Sequence, residues 1–158
     1  MSTESEPVIV AAVGSFDILH LGHVRYLEYA RSRGSYLIVV LSSDERVNRR
    51  KGFHYHDEQT RRHMLETLRV VDQVVIGDTD DVFQVFDRIN FDLLVIGYDE
   101  LFSESRLRSE LDRRGHEKIR IEQAPFFAGG FFKKHRYVAA YLAHQAQIDQ
   151  APDQTERL

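Results

Sequence analysis

Val8-Ile-Val-Ala-Ala-Val-Gly14-Ser-Phe-Asp17-Ile-Leu-His20-Leu-Gly22-His23 is the stretch that decides the fold. An apolar run of strand type, Val8 to Val13, stops at Gly14, and a short turn leads into two histidines that flank Leu21 and Gly22. An amphipathic helical pattern starts at once, with Val24, Leu27 and Ala30 apolar and Arg25, Glu28 and Arg31 between them. A strand, a tight turn and a helix N-terminus in this order build a phosphate site, because free backbone N–H groups and the positive end of the helix dipole converge there. His20 and His23, three residues apart, fall on one side of a first helical turn. Their imidazoles supply N–H donors and titrate near neutral pH. Gly22 lets a polyphosphate approach the backbone closely. Two histidines at this spacing are also half of a zinc site, but the chain has no cysteine and no evident third ligand nearby, so no metal ligand is assigned.

Working outward, the helix predicted from about Gly22 to Arg33 meets Gly34, a fitting C-cap. Tyr36–Leu41 reads as a second strand buried on both faces, which completes a βαβ unit. Ser42-Ser43-Asp44 has the chemistry of a helix N-cap, and the basic residues Arg46, Arg49, Arg50 and Lys51 precede Gly52. This cluster follows the carboxyl end of a parallel strand, where open α/β sheets bind ligands. Phe53 to His56 reads as a linker. Asp57 caps a helix whose apolar positions are Met64, Leu65 and Leu68. Val70–Ile76 and Phe91–Ile96 read as strands three and four, closed by Gly77 and Gly97, with a helix between them capped by Asp80 or Asp81 and running to about Ile89. Ser103 or Glu104 begins another helix that ends near Gly115, and His116 to Glu122 alternates as a short edge strand. The sum is an α/β, Rossmann-like three-layer sandwich on a five-stranded, mostly parallel sheet. Residues 1–148 form one domain, with a final helix over Tyr137 to Ala146, and 149–158 form a polar tail. The first seven residues read as a frayed terminus. The fingerprint G-x-G-x-x-G is absent, so this is no classical dinucleotide binder.

The segment Gly14-Ser-Phe-Asp-Ile-Leu-His-Leu-Gly-His23 resembles the signature of the cytidylyltransferase-like nucleotidyltransferases, with their His-x-Gly-His motif. The resemblance covers about residues 8 to 123. It implies transfer of CMP or AMP from CTP or ATP to a phosphorylated acceptor, with release of pyrophosphate. A glycerol-3-phosphate cytidylyltransferase-like activity is the main expectation. FMN adenylyltransferase (FAD synthetase) activity is the first alternative, because Gly97-Tyr98-Asp99 is most similar to that branch; the four phenylalanines of Phe126-Phe127 and Phe131-Phe132 read first as packing for the core or a dimer contact, and otherwise as walls that would suit a flavin. A nucleotide-binding homologue without turnover is the second. The resemblance makes His20, His23 and Lys51 the catalytic residues. It places Gly14, Ser15, Phe16, Asp17, Gly22, Arg61 (or its neighbour Arg62), Gly97 and Asp99 around the nucleotide. Asp17 has two readings: it orients the loop through hydrogen bonds, which is favoured, or it contacts the nucleotide or its metal. The resemblance further implies Mg2+ as cofactor and a homodimer.

One departure stands out. Ala124 to Arg136, which includes Gly129-Gly130 and Lys133-Lys134, has no serine or threonine where relatives carry an Arg-Thr-x-x-x-Ser-Thr type of segment. A Gly-Gly turn with following cations can still meet a phosphate.

Composition narrows the class. At 158 residues, 42% hydrophobic and 29% charged, the chain is long enough for a substantial core. A formal net charge of −4 argues against a general nucleic-acid binder. The absence of cysteine suits a reducing compartment. No apolar run is long enough to span a bilayer, and the polar, acidic start is unlike a signal peptide, so the expected location is the cytoplasm.

Overall fold

Continuous runs of β-branched and leucine residues form the centre of the molecule. The computed structural model describes residues 7–98, 103–127 and 134–149. In it β1 (Ile9–Gly14), β2 (Tyr36–Leu41), β3 (Gln73–Ile76), β4 (Leu93–Ile96) and β5 (Arg120–Gln123) form one sheet in the order β3-β2-β1-β4-β5. Every pairing is parallel. The helices are α1 (Leu21–Ser32), α2 (Asp44–Lys51), α3 (Glu58–Glu66), α4 (Glu104–Arg113) and α5 (Lys134–Asp149).

Side chains alternate across the sheet and divide the core in two. Val10, Ala12, Leu37, Val39, Val74 and Val95 face one way and pack with Leu27 and Ala30 of α1 and Leu65 of α3. Ala11, Val40, Leu94 and Ile96 face the other way, onto Phe83, Val85, Phe86 and the α4 residues Leu107 and Leu111. This is the three-layer sandwich. The order reverses beside β1, which pairs with both β2 and β4, so the topological switch point lies at the carboxyl end of β1. Gly14, Leu41 and Ile76 stand in one row there.

Several boundaries differ from the sequence expectation. β3 starts at Gln73, not Val70, because the Leu65 to Val71 backbone closes successive turns, with Leu68 N donating to Leu65 O and Val71 N to Leu68 O. Val70 and Val71 pack against the core from that turn. The helix expected to run to Ile89 is a 3-10 turn, Gln84–Arg88, entered without a side-chain cap; Asp81 instead accepts from Phe83 N at 3.0 Å. β5 begins at Arg120, after His116 and Ile119 have closed a turn. The final helix is longer than expected, spanning Lys134–Asp149. Of the terminus expected over residues 1–7 and the tail expected over 149–158, residues 1–6 and 150–158 lie outside the described residues.

Gly34 does not end α1 through a left-handed backbone: the C-cap is Arg33, in the right-handed region. Glycine is needed there for space. A Cβ at position 34 would stand 2.3 Å from Val8 O and 2.7 Å from a Val10 methyl, where the chain re-enters the sheet. Gly34→Ala is therefore expected to lower stability by about 1–3 kcal/mol, the usual range for overpacking. At this chain length that is a fall of roughly 2–4 °C in Tm per kcal/mol, readable by thermal denaturation. A melt superposable on the wild type would contradict this packing.

Candidate active site at the switch point

The loop from Ser15 to His20 joins β1 to α1, and it is strained. Phe16 and Ile18 both have positive φ, 46° and 54°, in the region that glycine favours. Such conformations persist where neighbouring contacts over-determine them. Here the contacts are identifiable. The Phe16 ring is buried, stacks 6.2 Å from Tyr26 and meets His23 edge-on at 5.3 Å. A Cβ on Gly14 would come within 2.7 Å of that ring, so Gly14 and Phe16 require each other. The Tyr26 hydroxyl donates to Val95 O at 2.8 Å and accepts from Val13 N at 3.2 Å, bridging β1 and β4 just past their last paired residues, Ala12 and Val95. Asp17 is 3% exposed and accepts from Tyr55 N (3.0 Å) and His56 N (3.1 Å), which drapes the α2–α3 connection over the loop.

His20 is the N-cap of α1. Its Nδ1 accepts from His23 N at 3.4 Å, and its carbonyl accepts from the same N–H at 2.9 Å. With Nδ1 facing a donor, the ring proton of neutral His20 sits on Nε2. Burial lowers the His20 pKa below its ordinary value, partly opposed by its backbone hydrogen bond, which favours the neutral ring. The two imidazoles lie nearly parallel with centroids 3.7 Å apart. Gly22 occupies the first turn of α1 between them. The pair and the exposed end of the α1 dipole thus form one donor surface at the end of β1.

Lys51 closes α2. Gly52, at φ 75°, caps that helix, and Lys51 Nζ donates to Ser15 Oγ at 2.8 Å. The structure therefore brings Gly14, Ser15, Phe16, Asp17, His20, Gly22, His23 and Lys51 together. Ser43 is the α2 N-cap, and Asp57 caps α3. Arg49 is taken up by Glu45 and Asp80 on the outside of the molecule.

Arg61 reaches the same loop from the inside. It is 0% exposed, and its guanidinium donates to His56 O (2.9 Å), Ser15 O (2.7 Å), Ser42 O (2.9 Å) and Asp44 Oδ1 (2.6 Å). It ties together the ends of β1 and β2, the start of α2 and the α2–α3 connection, with no surface turned to a ligand. Arg62 points the other way and pairs with Glu66 at 2.7 Å. A clue to the difference lies in the sequence: Arg61 stands four residues before Leu65, on the stripe that packs on the sheet.

Gly97 and Tyr98 follow β4. Tyr98 makes an edge-to-face contact with Phe126 at 4.8 Å, beyond the ends of β4 and β5. Asp99, Gly129, Gly130, Phe131, Phe132 and Lys133 lie outside the described residues, while Lys134 and Arg136 fall in the first turn of α5. Phe127 packs against Tyr29 of α1 at 5.9 Å. No helix among the described residues is long and apolar enough to cross a membrane.

Comparison with known proteins agrees with this fold. The profile of the family described as Cytidylyltransferase-like matches residues 11–152, running on through α5. A protein of Ferroglobus placidus named FAD synthase is 42% identical over 114 residues, 71% of this chain and 74% of that one. Another FAD synthase, from Aciduliprofundum boonei, is 42% identical over 108 residues, 68% of this chain and 72% of the other. Among solved structures, the lipopolysaccharide core biosynthesis protein from Thermoplasma volcanium GSS1 has a TM-score of 0.72 at 32% identity, covering 77% of this chain and 99% of its own.

Proposed function

We propose, from the premise that this chain belongs to the cytidylyltransferase-like family, that its nucleotidyl transfer carries AMP from ATP to the phosphate of FMN, forming FAD and pyrophosphate. The observation that carries the choice of acceptor is the similarity to proteins named FAD synthase over about three quarters of their length. It favours the FMN adenylyltransferase alternative over the glycerol-3-phosphate cytidylyltransferase expectation.

In this reaction an oxygen of the FMN phosphate attacks the α-phosphorus of ATP. The new P–O bond forms as the bond to the bridging oxygen breaks, and pyrophosphate leaves with the electron pair. Charge spreads over the α-phosphoryl oxygens, and positioned donors stabilise it. The His20–His23 pair and the N-terminus of α1 supply those donors. Neutral His20 gives its Nε2 proton as a hydrogen bond without needing to transfer it. Lys51, from the other side of Ser15, neutralises the leaving phosphates.

Among the described residues no three metal-ligating side chains converge, and the Asp17 carboxylate already accepts backbone N–H groups. Mg2+ would arrive on the triphosphate and would offset phosphate charge there, with no ligand required from Asp17.

The deciding assay incubates the protein with Mg2+ and crosses ATP and CTP against FMN and glycerol 3-phosphate. FAD and stoichiometric pyrophosphate from ATP with FMN are expected. CMP transfer to glycerol 3-phosphate, with none to FMN, would return the cytidylyltransferase reading. Nucleotide binding without any pyrophosphate would leave only a binding protein.

Lys51→Ala is expected to raise KM for ATP about tenfold or more, since a charge-assisted contact contributes roughly 1.5–3 kcal/mol. Steady-state kinetics at varied ATP and saturating FMN read this directly, and an unchanged KM would remove Lys51 from the site.

A further inference from the structure

A cleft opens on the face of the sheet opposite α1. Its walls are apolar: Val13, Val40, Phe83, Phe86, Ile96 and Leu107. It is open to solvent, with Val82 and Asp78 also on its lining. Gly14 lines its inner end, so the cleft meets the strained loop at the point where β1 stops. Two cations border it, half-buried Arg46 and exposed Arg50, four residues apart and so on one face of α2. The Arg46 N–H caps against Ser43 Oγ at 3.2 Å, but its guanidinium makes no hydrogen bond or ion pair among the described residues. Asp78, also on the border, is paired with Arg88 at 2.6 Å. The cleft thus offers apolar walls and an arginine fork next to the reacting loop.

We propose that this cleft seats the isoalloxazine ring of FMN, with Arg46 binding its phosphate. The assignment rests on the FAD-forming reading of the site. In-line displacement puts the attacking oxygen and the leaving pyrophosphate on opposite sides of the α-phosphorus. The stacked histidines and the α1 N-terminus stand on the α1 face, and the cleft opens on the other, so the two reactants approach the end of β1 from opposite faces. The wall chemistry selects the ligand. A glycerol phosphate would leave six apolar side chains facing its hydroxyl groups, whereas the dimethylbenzene edge of a flavin buries against them. A guanidinium binds a phosphate monoester bidentately.

The test titrates FMN, riboflavin and ATP separately into the full chain, following flavin fluorescence and nucleotide binding, for the wild type, Arg46→Ala and Val82→Phe. Val82 lines the cleft and is half-buried, so a larger ring there fills the space from the solvent side. Arg46→Ala is expected to weaken FMN about tenfold or more, the loss of one charge-assisted contact. Riboflavin, which lacks the phosphate, and ATP should stay within about twofold, well below the roughly tenfold loss that 1.4 kcal/mol represents. Val82→Phe should weaken FMN and riboflavin alike and spare ATP. Loss of ATP binding with flavin binding intact would give the cleft to the adenine and overturn the proposal. Unaltered flavin binding in both variants would overturn it while leaving FAD synthesis standing. Flavin binding that responds as expected in a protein that forms no FAD would instead remove the reaction and keep the seat. The exposed side of Arg46 keeps its variant foldable should Val82→Phe fail to fold.

Discussion

His23→Ala lowers kcat with ATP and FMN by two to three orders of magnitude and leaves the thermal melt close to that of the wild type. The size follows from the role. A donor aimed at charge that develops only in the transition state contributes about 10²–10³ in kcat. Substrate affinity depends less on it, so KM for both substrates should move little. The fold should tolerate the change because the His23 side chain closes no ladder and caps no helix. Its backbone N–H keeps both acceptors on His20, and Phe16 keeps its stack on Tyr26. His20→Ala is a less clean probe, since it also deletes the side-chain N-cap of α1, a loss of roughly 0.5–2 kcal/mol. Steady-state kinetics beside a circular-dichroism melt separate the two effects. A His23→Ala protein that turns over within a few-fold of wild type would dismiss the transition-state role and leave the stacked imidazoles as part of the loop's packing.

What could be read from the sequence follows a physical line. β1, β2 and β4 are legible because strands covered on both faces are continuously apolar. The Gly14 to His23 segment is legible because a phosphate site at a helix N-terminus needs its parts in chain order. Features set by distant contacts are not legible. Gly34 looks like a helix cap locally, and only the close approach of Val8 O explains it. The stretch before Ile89 has helical spacing, yet Phe83, Val85 and Phe86 are all buried, and a single 3-10 turn satisfies that better than a helix with one exposed face. The cleft draws on residues from Val13 to Leu107, and no window of sequence contains it. Arg46 was visible only as one member of a basic cluster. Its placement beside an apolar wall separates it from Arg49, which is spent on Glu45 and Asp80.

Arg61 is the sharpest case, and a substitution there decides between two roles with opposite signatures. A phosphate ligand faces solvent in the free protein. Removing it would raise KM for a substrate and leave the unliganded melt unchanged. The guanidinium of Arg61 is instead wholly enclosed, with three carbonyl oxygens and the Asp44 carboxylate around it. Arg61→Met keeps much of the volume and removes every donor. It leaves four part-buried acceptors short of a donor, one of them the Asp44 carboxylate, whose side chain is 28% exposed, and losing a charge-assisted hydrogen bond costs about 1.5–3 kcal/mol. At this size that lowers Tm by roughly 2–4 °C per kcal/mol, without any ligand present. Activity should fall together with stability, because Ser15 O and His56 O are anchors of the loop that carries Phe16, Asp17 and the histidines. Arg61→Lys should recover only part of the loss: one ammonium cannot span acceptors that the planar fork reaches from three nitrogens. Urea unfolding of the free proteins gives the stability difference, and kinetics below the melt give the activity. A methionine variant as stable as wild type, defective only in ATP affinity, would mean that the side chain swings out to the nucleotide. Equal losses of stability with and without ATP would establish it as the buried tie that holds the loop in its strained shape.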